Sequence, residues 1–130
     1  MTDQNEKPKS KRNPFPDEPF YVVPIKLLDC GLARDLTSGD FKRYSTFLRL
    51  ANYYQKTEFQ ATLRGLERLD GISARAAFDT HARLQEHKMI IVERYTNPYT
   101  YALLLPSEWQ SRNGVPYPAS KIPRSYVWRL

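Results

Sequence analysis

Two helical stretches meet at "DGIS", Asp70 to Ser73, and no other segment restricts the architecture of this chain as much. Before the junction, Phe59, Leu63 and Leu66 share one side of a helix, with Leu69 at its edge. Thr57 and Gln60 have the spacing of a capping box at the start of that helix. Gly71 can take the left-handed conformation that ends helices, and Ser73 is a strong N-cap for the next one. The two helices are therefore joined by a tight glycine-containing turn. The second carries Ala77, Thr80, His81 and Leu84 on one side, then Met89 and Ile90 as it ends. Its other side shows Arg75, Phe78, Asp79, Ala82 and Arg83.

The flanking segments complete the order of elements. "FYVVP", Phe20 to Pro24, is a short β-favouring run closed by proline, and "IKLLDCGL" suits a short helix. Thr37 with Asp40 approximates a capping box, and behind it Phe41, Tyr44, Leu48 and Ala51 trace the apolar stripe of a helix of four to five turns. Phe47 and Tyr54 widen the stripe. After the junction helices, "IIVERY" and "TYALLL" flank the residues "TNPY", which predicts a β-hairpin that Pro106 stops. Trp109 is placed to pack back on the domain, and the closing "SYVWRL" is apolar enough to dock on something.

Charge narrows the partners without naming one. The formal net charge is +6 and the isoelectric point about 9.5, a balance that favours polyanions. Its distribution is uneven. Residues 1–19 carry four basic and four acidic groups, and residues 58–106 carry six of each. The excess lies in residues 20–57 and 107–130, each with a surplus of three. The lone cysteine, Cys30, excludes an intrachain disulfide and suits a reducing cytoplasm. No apolar run reaches membrane-spanning length, and the polar N-terminus is no secretory signal.

Strand, helix, helix, tight turn, helix and hairpin is the order of a winged helix-turn-helix. "LERLDGISARAAFDTHARLQEHKMI" resembles that family: Leu66, Gly71, Ile72, Ser73, Leu84 and the pair Met89–Ile90 fill its pattern. The longer frame, "YVVPIKLLDCGLARDLTSGDFKRYSTFLRLANY" through to "YALLLPSEW", resembles the winged-helix domains of plasmid replication initiators and phage replisome organisers. Three positions depart from the pattern. Glu67 replaces a small residue, Lys88 the usual glycine before the apolar pair, and His81 an aliphatic. The resemblance implies an α+β fold with a three-helix core, a hairpin wing and a short N-terminal strand over residues 20–109. A flexible leader, 1–19, precedes it, and a proline-rich tail, 110–130, follows.

It also implies double-stranded DNA as partner, in replication initiation or in transcriptional regulation of a mobile element, with a homodimer or a replication or regulatory protein as further partners. A recognition helix reads base edges from its exposed N-terminal half. Arg75 sits there and can grip a guanine with two parallel hydrogen bonds. Ser73 and Ala74 open the helix, whose free N–H groups suit a phosphate. Phe78 can touch a thymine methyl or pack under the wing, and Arg83 lies two turns beyond Arg75. Arg94, Asn97 and Tyr99 lie near the wing tip, while Lys42, Arg43, Arg64 and Arg68 are candidates for phosphate. The competing expectation is a winged helix that binds protein rather than DNA, favoured by the neutral charge over residues 58–106 and by Phe78.

An enzyme is not expected, and neither is a cofactor or a metal. His81 and His87 are the only histidines, and His81 falls on the buried side of its helix. Cys30 has no histidine near it in sequence and reads as an inert buried thiol. There is no Cys or His pair at metal spacing and no glycine-rich phosphate loop.

Overall fold

The structure is a computed structural model that describes Tyr21, Val23, Pro24 and residues 26–117. Two short helices, α1 (Lys26–Asp29) and α2 (Leu32–Asp35), lead into the long α3 (Ser38–Tyr54). Strand β1 (Glu58–Ala61) follows, then α4 (Leu63–Asp70) and α5 (Ala74–Glu86). Strands β2 (Ile90–Glu93) and β3 (Tyr99–Leu103) make the hairpin, and a 3₁₀ turn at Pro106–Glu108 ends it. The fold is α+β. All three strands form one antiparallel sheet in the order β1-β3-β2.

The helix boundaries follow from their caps. Thr37 accepts the Asp40 amide on its side chain, and the Asp40 carboxylate returns a bond to the Thr37 amide, so the expected capping box opens α3. Ser73 caps α5 through the Ala76 amide. Gly71 ends α4 with φ 81°, and its amide returns to the Glu67 carbonyl. A β-carbon there would meet no neighbour, so the glycine serves its dihedral angle rather than close packing.

One boundary differs from the sequence expectation. The helix expected to begin at Thr57 begins at Thr62, which accepts the Gly65 amide, and residues 58–61 are strand. Phe59 lies opposite Tyr101 and Gln60 opposite Thr100. Phe59 turns inward while Glu58 and Gln60 face solvent, the alternation of a half-buried strand. The Gln60 amide, expected to cap a helix, donates to the Pro98 carbonyl in the hairpin loop. β1 therefore supplies the strand expected in "FYVVP"; Tyr21, Val23 and Pro24 belong to no strand, and Phe20 and Val22 lie outside the described residues.

The core sits where α3 crosses the sheet and α5. Phe47 is fully buried, its ring 4.8 Å from Tyr101 and 6.0 Å from Phe59. Leu27, Leu32, Leu66, Leu84, Met89 and Ile90 close around it. Each such side chain contributes about 1.5–3 kcal/mol on burial. Trp109 packs back as expected, edge-on to Tyr44 at 5.9 Å. The packing continues past it. The Gln110 amide bonds the His87 carbonyl, Gln110 and Pro116 form a bridge, and the Tyr117 hydroxyl donates to Asp35. Residues 110–117 of the expected tail thus pack on the domain, while "SYVWRL" and the leader 1–19 lie outside the described residues.

Lys88 occupies the left-handed region, φ 59°, in the two-residue link between α5 and Met89. A β-carbon there costs roughly 1–2 kcal/mol, partly offset by the greater freedom glycine would have when unfolded. Lys88→Gly is therefore expected to raise stability by up to about 1 kcal/mol in urea melts. A loss of stability would show that the lysine side chain contributes more than its backbone costs.

Candidate nucleic-acid interface

α5 is presented by what lies behind it. Its inner side, Ala77, Thr80, His81 and Leu84, is buried against the core. Ser73, Ala74, Arg75, Ala76, Asp79 and Ala82 face solvent. The Ala74 and Arg75 amides precede the helix's own hydrogen-bond ladder, and the first turn carries no acidic residue. Arg75 projects from that turn; Asp79, a turn later, is the nearest acid along the same helix.

The hairpin leans on the second turn. The Arg94 guanidinium lies over the Phe78 ring, 4.9 Å from its centroid. Phe78 is 39% exposed, so the expected packing under the hairpin holds for one face of its ring. A cation–π contact of this kind contributes about 0.5–1 kcal/mol at an exposed site. Here it also fixes where the hairpin stands relative to α5. The loop is braced within: Thr96 and Thr100 share a 2.8 Å hydroxyl contact, and Gln60 holds Pro98. Asn97 is exposed, and Tyr95 stands out at 89% exposure. Tyr99 corrects the expectation of a tip contact, because it is half-buried and packs against the core.

Arg43 is the main correction. Expected at phosphate, it is fully buried. Its Nε donates to Asp70 Oδ2 at 2.5 Å and one Nη to Asp70 Oδ1 at 3.0 Å. The same Nη reaches the Ile72 carbonyl at 3.2 Å, and the other Nη meets His81 Nε2 at 2.7 Å. Arginine can only donate, so Nε2 accepts and the neutral ring carries its proton on Nδ1. Asp70 further accepts the Ile72 amide and the Thr46 hydroxyl. One guanidinium thus ties α3, the end of α4, the junction and α5 together. Burial works against the Asp70 charge, but the bonds from Arg43, Ile72 and Thr46 hold its carboxyl below the ordinary range. Burial, then Arg43 and Arg94, lower His81 to about 4.

Arg83 is also committed. Its Nε donates to both carboxylate oxygens of Asp40 at 2.9–3.0 Å, and this bond raises the guanidinium pKa further. The side chain stays 40% exposed, yet its direction is set by a buried carboxylate on α3 rather than by a groove in front of α5. Arg64 is exposed at the first turn of α4, Arg68 in its last, and Lys42 on α3. Arg49, two turns beyond Lys42 and exposed, is a cation that the site expectation missed. Its i+7 spacing from Lys42 is legible in the sequence.

His81 serves the ion pair, and the His87 ring bonds the Gln110 carbonyl. Cys30 is half-buried rather than buried. Among the described residues no cluster of three His, Cys, Asp or Glu could hold a metal, and no helix is long and apolar enough to cross a membrane. No family model matches the chain, and neither does any curated protein or any solved structure.

Proposed function

We propose that the chain is a winged helix-turn-helix protein that binds double-stranded DNA, with α5 in the major groove and the β2–β3 hairpin against the adjacent backbone. One observation carries the reading: Arg94 of the hairpin stacks on Phe78 of α5. The hairpin therefore stands against the second turn of α5, one turn on from Arg75, in the second helix of a tightly joined pair. Arg75 is the base-reading residue. Ser73, Ala74 and the α5 N-terminus approach a phosphate; Arg94 and Asn97 contact backbone from the hairpin, and Arg64 does so from α4. The resemblance to replication initiators and replisome organisers makes plasmid or phage-like replication, or regulation on a mobile element, the setting.

A second reading has one observation of its own. Asp79 stands among the exposed α5 residues and Leu69 is exposed beside the junction, which suits a protein partner better than phosphate. Fluorescence anisotropy with a labelled mixed-sequence duplex separates the two. The duplex is expected to bind at low salt and to weaken steeply as salt rises. Arg75→Ala is expected to lower affinity about fivefold or more. No binding at low salt would give α5 to a protein partner.

A further inference from the structure

The outer side of α3 carries exposed cations, and no part of the α5 reading uses it. Asp40, Arg43 and Phe47 turn inward, toward Arg83, His81 and the sheet. At 100° per residue the opposite side carries Lys42, Ser45, Arg49, Asn52 and Tyr53. No acidic residue occurs from residue 41 to residue 57. Lys42, Ser45 and Arg49 line an open groove of about 340 Å³ between α3 and the end of α4, where Asp70, paired with Arg43, forms part of the other wall.

One aromatic ring of this face, Tyr53, is held in a fixed arrangement by its neighbour Tyr54. Tyr53 is 66% exposed and meets Tyr54 edge-on at 5.0 Å, with an angle of 86° between the rings. Tyr54 in turn stacks on the buried Phe59 at 6.3 Å and 24°. Arg49 lies over the Tyr53 ring at 5.7 Å. Two exposed tyrosines are thus anchored to the core through Phe59. A large ring left in water and held in orientation gains by stacking on another flat ring, and the cations spaced along the helix suit a repeating phosphate.

We infer that the outer face of α3 binds single-stranded DNA, with Tyr53 stacking on an unpaired base and Lys42 and Arg49 following the phosphates. Paired bases hide their faces within the helix, so a stacking ring selects a single strand over a duplex. An acidic polypeptide would match the charge but would leave Tyr53 without a flat partner. The choice of DNA over RNA rests on the duplex-binding reading of α5; the stacking face does not.

The test is anisotropy on the full chain with a labelled oligothymidylate, beside the duplex assay. Tyr53→Ser is expected to weaken oligothymidylate binding about fivefold or more, with Tyr53→Phe retaining it. Arg49→Ala is expected to weaken it as well, while Arg75→Ala leaves it unchanged. Tyr53 is exposed, so thermal melts of the variants should coincide with the parent. The inference is overturned by absence of oligothymidylate binding at low salt, or by equal affinity of the parent and Tyr53→Ser. Competition by polyglutamate as effective as by unlabelled oligothymidylate would also overturn it, as would tighter binding of an oligouridylate. Because Arg75→Ala and Tyr53→Ser report on different probes, either reading can fail while the other stands.

Discussion

Arg43→Ala is expected to destabilise the folded chain by about 3–5 kcal/mol, because it strands the Asp70 carboxylate in the interior. Lys42→Ala, one residue earlier, is expected to change stability by less than about 0.5 kcal/mol. Urea unfolding followed by far-ultraviolet circular dichroism measures both. The contrast arises from helix geometry: Lys42 points to solvent, while Arg43 spans α3 to the Asp70–Ile72 junction and to His81. A loss under about 1 kcal/mol for Arg43→Ala would mean that Asp70 finds water or another donor, and that the junction does not depend on this guanidinium. Part of the measured cost belongs to His81, which loses its donor in the same substitution.

Acid is expected to weaken the fold through His81. His81 takes its proton near 6.5 when unfolded and near 4 when folded. The unfolded chain therefore binds more protons between those values, and stability falls as pH drops through that window. The full effect is on the order of 3 kcal/mol, present above pH 6.5 and gone by about pH 4. Asp70 adds a second loss at lower pH, since its depressed folded value means that the unfolded carboxyl protonates first. Arg43 faces the imidazole from α3, Asp70 lies behind that pair, and Arg94 adds its charge from the end of β2. Urea melts from pH 7 to pH 4 should show the decline, and His81→Gln should flatten it above pH 4.5. Equal slopes for the two proteins would remove His81 as the cause.

What the sequence disclosed and what it hid divide along local and non-local interactions. The caps at Thr37 and Ser73, the left-handed Gly71 and the hairpin depend on neighbours within a few residues, and all were readable. Lys88 in the place of a glycine was readable too, and its positive φ gives the reason that place favours glycine. Residues 57–62 mislead because Thr57 and Gln60 have a capping box's spacing, while the cap that forms is Thr62. Pairing with β3, some forty residues away, makes 58–61 a strand, and no local rule contains that partner. The alternation of "EFQA", exposed, buried, exposed, half-buried, is the signal that could have marked the strand. Arg43 was hidden differently. It falls on the inward side of α3, three residues after Asp40 and four before Phe47, so helical periodicity marked it as buried. Its charge argued for the surface, and the partner that reconciles the two lies 27 residues on. Of the interface, the exposure of Arg75 followed from the amphipathic pattern. The commitment of Arg83 to Asp40 did not, since it spans 43 residues.

The hydroxyl contact between Tyr117 and Asp35 joins positions 82 residues apart, and Trp109 fills the core beneath it. On a ribosome, which releases the chain from its N-terminal end, α3, α4 and α5 emerge well before either aromatic residue. The helices that carry the proposed contacts must therefore wait, with Tyr44 and Leu27 still open to water, for the segment that closes over them. Closure of the core therefore depends on contacts between segments far apart in sequence, the kind that forms slowly because the intervening chain must first be drawn together.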